Sequence, residues 1–144
     1  MGGKVDLTYS AAAATGPAAF AEAGIRPSDI KYVSIYDSFT ITVLMQIEDL
    51  GFCRKGEGGR FVADGNLISG VGKLPFNTDG GGLCNNHPAN RGGMTKVIEA
   101  VRQLRGEAHP KVQVPNCRLV LAQGTGGQLG SRHGSATLIM ERAS

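Results

Sequence analysis

Three short segments carry side chains able to do chemistry, and each falls where an extended run gives way to a turn or a glycine loop. The first is Tyr36-Asp37-Ser38-Phe39. A tyrosine there can donate a hydrogen bond or a proton, and the backbone amides opening a following helix can receive negative charge. The plainer interpretation is a capped helix beside a half-buried phenol. The second runs Asn77-Thr78-Asp79-Gly80-Gly81-Gly82-Leu83-Cys84-Asn85-Asn86-His87-Pro88. Its glycines allow a backbone to approach a ligand closely. His87, with amides before it and a proline after it, is the strongest general acid/base or oxyanion donor in the chain. A loop histidine also occurs as a solvated structural residue, and Cys84 being near it in sequence does not establish a dyad. The third is Gly124-Thr125-Gly126-Gly127, followed by Arg132 and His133. Consecutive amides in such a turn form an anion-binding nest, unless the loop simply joins two strands. None of the G-x-G pieces sits between a strand and a helix as a dinucleotide site requires.

The elements that position these segments follow from periodicity. An alanine-rich run, 11–23, is broken by Gly16-Pro17, so the predicted helix is Pro17 to Ala23, closed by Gly24. Lys31 to Tyr36 alternates as a strand, and Asp37 or Ser38 is the expected N-cap of a helix carrying Phe39, Val43, Leu44, Ile47 and Leu50. Between Gly51 and Gly93 no helical period survives, and only Lys73–Asn77 reads as extended. A stretch of that length without pattern suggests function. Met94, Val97, Ile98, Val101 and Leu104 mark an amphipathic helix ending at Gly106. Arg118–Gln123 and Ser135–Glu141 form a hairpin across a loop from Gly124 to Gly134. Strands interleaved with helices predict an α/β fold with a mixed sheet, over a single domain of residues 1–144.

Composition limits the function classes. The chain has 144 residues, 41% hydrophobic and 19% charged, with 22 glycines. That is enough to bury about two thirds of the unfolded surface. Mean hydropathy is −0.09, and no run approaches the roughly 18 apolar residues of a membrane span. A net charge of +3 with 6% aromatics and no Trp argues against nucleic acid as a partner. The three cysteines, Cys53, Cys84 and Cys117, lack zinc-site spacing and read as free thiols in a reducing compartment, Cys53 and Cys117 as small buried hydrophobes. No bound cofactor and no metal are expected. The N-terminus has no signal-peptide pattern, so the expected location is cytoplasmic.

Taken in order, several motifs resemble the C-terminal half of a thiolase, most nearly the sterol-carrier and lipid-transfer thiolase-like proteins of bacteria. They are Ile35-Tyr36-Asp37-Ser38-Phe39-Thr40, Glu48-Asp49-Leu50-Gly51-Phe52-Cys53, Lys55-Gly56-Glu57-Gly58-Gly59, Leu74-Pro75-Phe76-Asn77-Thr78-Asp79-Gly80-Gly81, Asn86-His87-Pro88, Gln103-Leu104-Arg105-Gly106 and Gly126-Gly127. The resemblance runs from about Ala11 to Arg142. It implies half of a duplicated fold, a five-stranded mixed sheet covered by helices, in a protein that forms dimers or other homo-oligomers. The family's other half, which carries the nucleophilic cysteine, has no counterpart in these residues.

The resemblance also implies roles. His87 matches the histidine of the family's Gly-His-Pro motif, which helps activate the nucleophile and contributes to an oxyanion hole. Asn86 replaces the glycine before it, and Asn90 replaces the next family glycine. Tyr36 stands where ordinary thiolases have the asparagine of Asn-Glu-Ala-Phe, and tyrosine there is similar to the lipid-transfer subgroup, which includes retro-aldolases. The second catalytic cysteine falls on Gln123 and its following glycine on Thr125, whose backbone N–H still suits an oxyanion site completed by Gly126 and Gly127. The implied substrate is a coenzyme A thioester. The implied partners are an N-terminal thiolase half and a small OB-fold protein with a zinc ribbon. The alternatives are a non-catalytic thiolase-fold assembly module or a truncated fragment.

Overall fold

Burial of every residue from Tyr32 to Ile35 marks β1 (Tyr32–Ile35) as an interior strand. The computed structural model describes residues 6–69, 72–87, 92–127 and 134–143. In chain order the elements are α1 (Ala12–Ala23), a 3₁₀ turn at Pro27–Asp29, β1, α2 (Thr40–Asp49), α3 (Gly58–Ala63), α4 (Gly81–Cys84), α5 (Gly92–Arg105), β2 (Leu119–Gly126) and β3 (Gly134–Glu141). The sheet order is β1-β2-β3, with β1 parallel to β2 and β2 antiparallel to β3.

The period of two along the strands separates two cores. Val33, Ile35 and Leu121 pack with Phe20, Val43, Ile47 and Leu50 on the side of α1 and α2. Tyr32, Val120 and Ala122 pack with Ala100 and Leu104 of α5 on the other side. Each fully buried Leu or Ile contributes about 1.5–3 kcal/mol.

Among the described residues the expected five-stranded sheet is corrected to three strands. A fourth begins and stops: the predicted extended segment 73–77 lies beside β1 as a single parallel bridge, Val33 to Phe76. Pro75 has no N–H to donate. Asn77 sits at φ 40° and bonds Ile35 with its side-chain amide in place of its backbone, at 2.8 Å to both the N–H and the C=O. A backbone ladder cannot continue through those two residues.

Four local expectations also change. The first helix begins at Ala12 and runs through Pro17. Ser10 is tied to Asp49 through its N–H and its hydroxyl, at 2.8 and 2.7 Å, which anchors the first turn. Gly16 lets that turn approach α2, since a β-carbon there would stand 2.8 Å from Leu50 Cδ2. The N-cap of α2 is Phe39, not Asp37 or Ser38, with the Thr42 hydroxyl accepting the Phe39 N–H. The glycine-rich stretch contains α3 and α4, too short to show a period. Glu48 holds the start of α3 by accepting the Gly58 N–H at 2.8 Å.

The fourth change concerns α5, which is turned relative to its apolar stripe. Met94 and Ile98 are exposed at 60% and 45%, whereas Lys96, Glu99 and Gln103 are buried. Each of these three α5 residues has partners. Gln103 accepts the Val114 N–H and donates to Thr78 and Val112, so the Gln103-Leu104-Arg105-Gly106 motif fastens the following loop to the helix. Cys117 is buried, which pushes its thiol up to about 11, Cys53 is half-buried and Cys84 is exposed. Among the described residues no helix is long and apolar enough to cross a membrane.

Candidate active site

Tyr36 leaves the end of β1 with its backbone still fixed. Its N–H donates to the Gln123 carbonyl at 2.9 Å, and its own carbonyl accepts from Gln46 Nε2 at 2.7 Å. Gln46 is fully buried on α2, so the phenol starts from a rigid base. Its hydroxyl reaches His87 Nε2 at 2.6 Å, and the two rings lie 5.4 Å apart at 47°. Two candidate residues 51 positions apart therefore meet directly. A phenol and an imidazole at this separation can pass a proton between them or share one with a third oxygen.

His87 follows α4, and Asp37 holds that short helix. Its carboxylate accepts the N–H groups of Gly82 and Leu83 at 2.7 and 3.2 Å. Asp37 is thus a helix cap, though for α4 and not for α2. Burial opposes ionisation of this carboxyl, but the two N–H donors and the Lys96 ammonium outweigh it and hold it below the usual carboxylate range. Gly81 is required here: its φ is +62°, and a β-carbon would collide with the Asp37 carboxylate and Asn77. Asn86, expected in the active-site loop, turns its side chain into the protein. Its amide donates to Asp79, while its oxygen accepts from Thr95 at 3.2 Å and from Lys96 at 3.4 Å.

Tyr36 and His87 border a cleft of about 610 Å³ between the N-terminus of α5 and the far end of the β2–β3 pair. Gly92 and Gly93 line one side, with Thr125, Gly126 and Gly127 opposite. The two rings lie beside Gly92, where a β-carbon would sit in ordinary contact at 3.6 Å from each. The expected nest at 124–127 is corrected: Gly124, Thr125 and Gly126 belong to β2 and pair with Ala136, Ser135 and Gly134. The glycines extend the ladder because β3 supplies small partners in register. Arg132, His133, Asn90 and Pro88 lie outside the described residues.

Gln123, at the expected second-cysteine position, is buried at 1% exposure. Its amide donates to Ser135 at 2.7 Å and its oxygen accepts from Thr137 at 2.5 Å. Both hydroxyls also bond Thr15 of α1 at 2.8 Å, so Gln123 joins α1 to the hairpin. A second groove, about 640 Å³, lies at the other end of α5 beside Met140 and Arg142, far from the Tyr36–His87 pair. Among the described residues no group of three or more His, Cys, Asp or Glu could hold a metal ion. Sequence reasoning missed Lys96 and Gln46. The available signal was a polar residue at an inward helical position, visible only once the helix's rotation is known.

The fold and this strand-end site define the class. The thiolase C-terminal domain-like family matches residues 2–142, and the chain belongs to it. Among individual relatives, a steroid side-chain-cleaving aldolase of Thermomonospora curvata is 50% identical over 91 residues, covering 63% of this chain and 22% of the relative. An acetyl-CoA acetyltransferase of Methanothermobacter thermautotrophicus is 38% identical over 128 residues, covering 89% and 32%. The solved Ltp2-ChsH2(DUF35) aldolase matches with a TM-score of 0.77 and 41% identity, over 91% of this chain and 31% of that one. The chain thus spans less than a third of the length of these relatives.

Proposed function

We propose that this chain is the C-terminal part of a thiolase-like acyl-CoA enzyme, an acyltransferase or retro-aldolase that makes or breaks a C–C bond beside a CoA thioester. The observation that carries the reading is the 2.6 Å bond between the Tyr36 hydroxyl and His87 at the cleft. In retro-aldol cleavage of a β-hydroxyacyl thioester, the β-hydroxyl loses its proton and the Cα–Cβ electrons move onto the thioester carbonyl. The products are a ketone or aldehyde and an acyl-CoA enolate, which is then protonated at Cα. His87 polarises the carbonyl oxygen, and Tyr36 takes up or delivers the proton. The backbone N–H of Thr125 serves the oxyanion, while Gly126 and Gly127 keep that wall of the cleft free of side chains. Asn86 supports the loop without touching substrate.

Retro-aldol chemistry is favoured over thiolysis because Gln123 stands where a cysteine would shuttle a proton. An amide cannot do this, and the Gln123 amide is engaged by Ser135 and Thr137. The aldolase among the relatives supports the same choice. The site is completed by a nucleophile-bearing thiolase half, with a small OB-fold protein carrying a zinc ribbon as a further partner. The test is a gentle pull-down from the native cells with intact-complex mass spectrometry, followed by assays of CoA release and aldol cleavage on the assembled enzyme. His87→Ala and Tyr36→Phe are each expected to lower turnover by about 10²–10⁴. Unchanged turnover in His87→Ala would remove the assigned role. Recovery of the chain only with copies of itself would favour a non-catalytic assembly module, the reading supported by the exposed Met94 and Ile98.

A further inference from the structure

Among the described residues, the reaction above leaves one buried cation unused. Lys96 projects from α5 into the protein with its side chain 2% exposed, and its ammonium lies 3.3 Å from Asp37 Oδ1 and 3.4 Å from Asn86 Oδ1. Asp37 directly follows Tyr36, and Asn86 directly precedes His87. Asp37 also grips the Gly82 and Leu83 amides at the start of the helix that leads into His87. The two chain segments carrying the phenol and the imidazole therefore converge on a single ammonium.

We propose that Lys96, through its contacts with Asp37 and Asn86, is a positioning residue that sets the Tyr36–His87 hydrogen bond. The inference rests on that pair being the working pair of the proposed enzyme. Two charges buried together seldom stabilise a fold more than apolar residues of the same volume. The helix already has apolar anchors, with Ala100 and Leu104 in the core against Tyr32 and Val120. A methionine at 96 would fill the same space. It would lack a directional grip on a carboxylate on one side and an amide oxygen on the other. That grip matters at a reacting pair, where misplacement by about 1 Å costs on the order of 10²-fold in rate.

The test uses Lys96→Met in the full chain, with long-range proton–nitrogen correlation spectra of the histidine rings. Tyr36→Phe supplies the reference for a lost hydrogen bond, and His109 is the internal control. The inference expects Lys96→Met to melt cooperatively, with the His87 Nε2 signal shifted at least halfway to its position in Tyr36→Phe while His109 stays fixed. Asp37→Asn is expected to shift His87 in the same direction. If Lys96→Met does not fold, the neutral pair Lys96→Met with Asp37→Asn takes its place under the same criterion. A folded variant whose His87 signals coincide with wild type overturns the inference. In the assembled enzyme, kcat is expected to fall about 10–100-fold with KM nearly unchanged. The spectra need no turnover. Absence of acyl-CoA activity in every assembly would overturn the functional reading alone, and wild-type His87 signals would overturn the positioning role alone.

Discussion

Replacing Asp49 separates the two jobs this carboxylate does. Its side chain is fully buried, with one oxygen accepting both the N–H and the hydroxyl of Ser10 at 2.8 and 2.7 Å. The other oxygen meets Lys55 at 2.6 Å. Lys55 is 26% exposed and keeps a second partner, Glu48, at 3.3 Å. Asp49→Asn retains an acceptor for both Ser10 donors but turns its NH2 toward Lys55, losing the ion pair and the Lys55 hydrogen bond, while Lys55 keeps Glu48. Discounted for solvent screening, that change costs about 1 kcal/mol. Asp49→Ala removes two buried charge-assisted bonds at about 1.5–3 kcal/mol each and leaves Ser10 donors without an acceptor, for a total of about 3–6 kcal/mol. At about 4 °C per kcal/mol for a chain of this size, thermal melts by circular dichroism should fall by roughly 4 °C for the asparagine and roughly 12–24 °C for the alanine. Hydrogen exchange should show the first turn of α1 losing protection in the alanine variant only. Equal melting temperatures for the two variants, or unchanged α1 protection in Asp49→Ala, would refute the argument that the Ser10 bonds anchor this helix.

Acid should destabilise the fold in a defined window. Burial opposes ionisation of Asp37 and Glu48, but N–H donors and Lys96 or Lys55 hold both carboxyls below their ordinary values of 3.8 and 4.5. Their contribution is complete above the unfolded values and is lost as pH falls through the folded ones. The melting temperature should stay level from about pH 7 to 5 and drop below about pH 4, more steeply in wild type than in Asp37→Asn; a rise on acidification would contradict this. At the cleft, a β-carbon on Gly124 or Gly126 meets nothing within 4 Å, and neither residue has positive φ. Gly124→Ala and Gly126→Ala should therefore melt at or slightly above the wild-type temperature, and a loss of more than a few degrees would show that the strand end needs glycine.

Elements whose length exceeded their period were legible in the sequence. The strand at 32–35, the helix from Thr40, the helix up to Arg105 and the closing hairpin all stand where alternation or helical spacing placed them. Helices α3 and α4 were not legible, because six and four residues among glycines give no repeat to detect. The orientation of α5 was misread because apolar spacing fixes a stripe but not what faces it. The networks that make Lys96, Glu99 and Gln103 the inner face have partners such as Asp37, Thr78 and Val114, distant in sequence. The Tyr36–His87 encounter was legible only as two motifs of one family, with no local signal that the rings touch. Asp37 shows the limit most plainly: its type announced a cap, while the helix it caps begins 44 residues later.

The segment beside β1 has a consequence for assembly. Pro75 cannot donate, and Asn77 uses its side chain on the Ile35 backbone groups, so pairing beside β1 stops at a single bridge. At the opposite margin β3 pairs with β2 alone among the described residues, and its side chains alternate between exposed and half-buried. Among the described residues, the β3 edge is therefore open to a further strand. A neighbouring part of a longer polypeptide and an unwanted copy in concentrated solution would compete for the same open edge. A proline at an outward-donating position of β3 would close it to both.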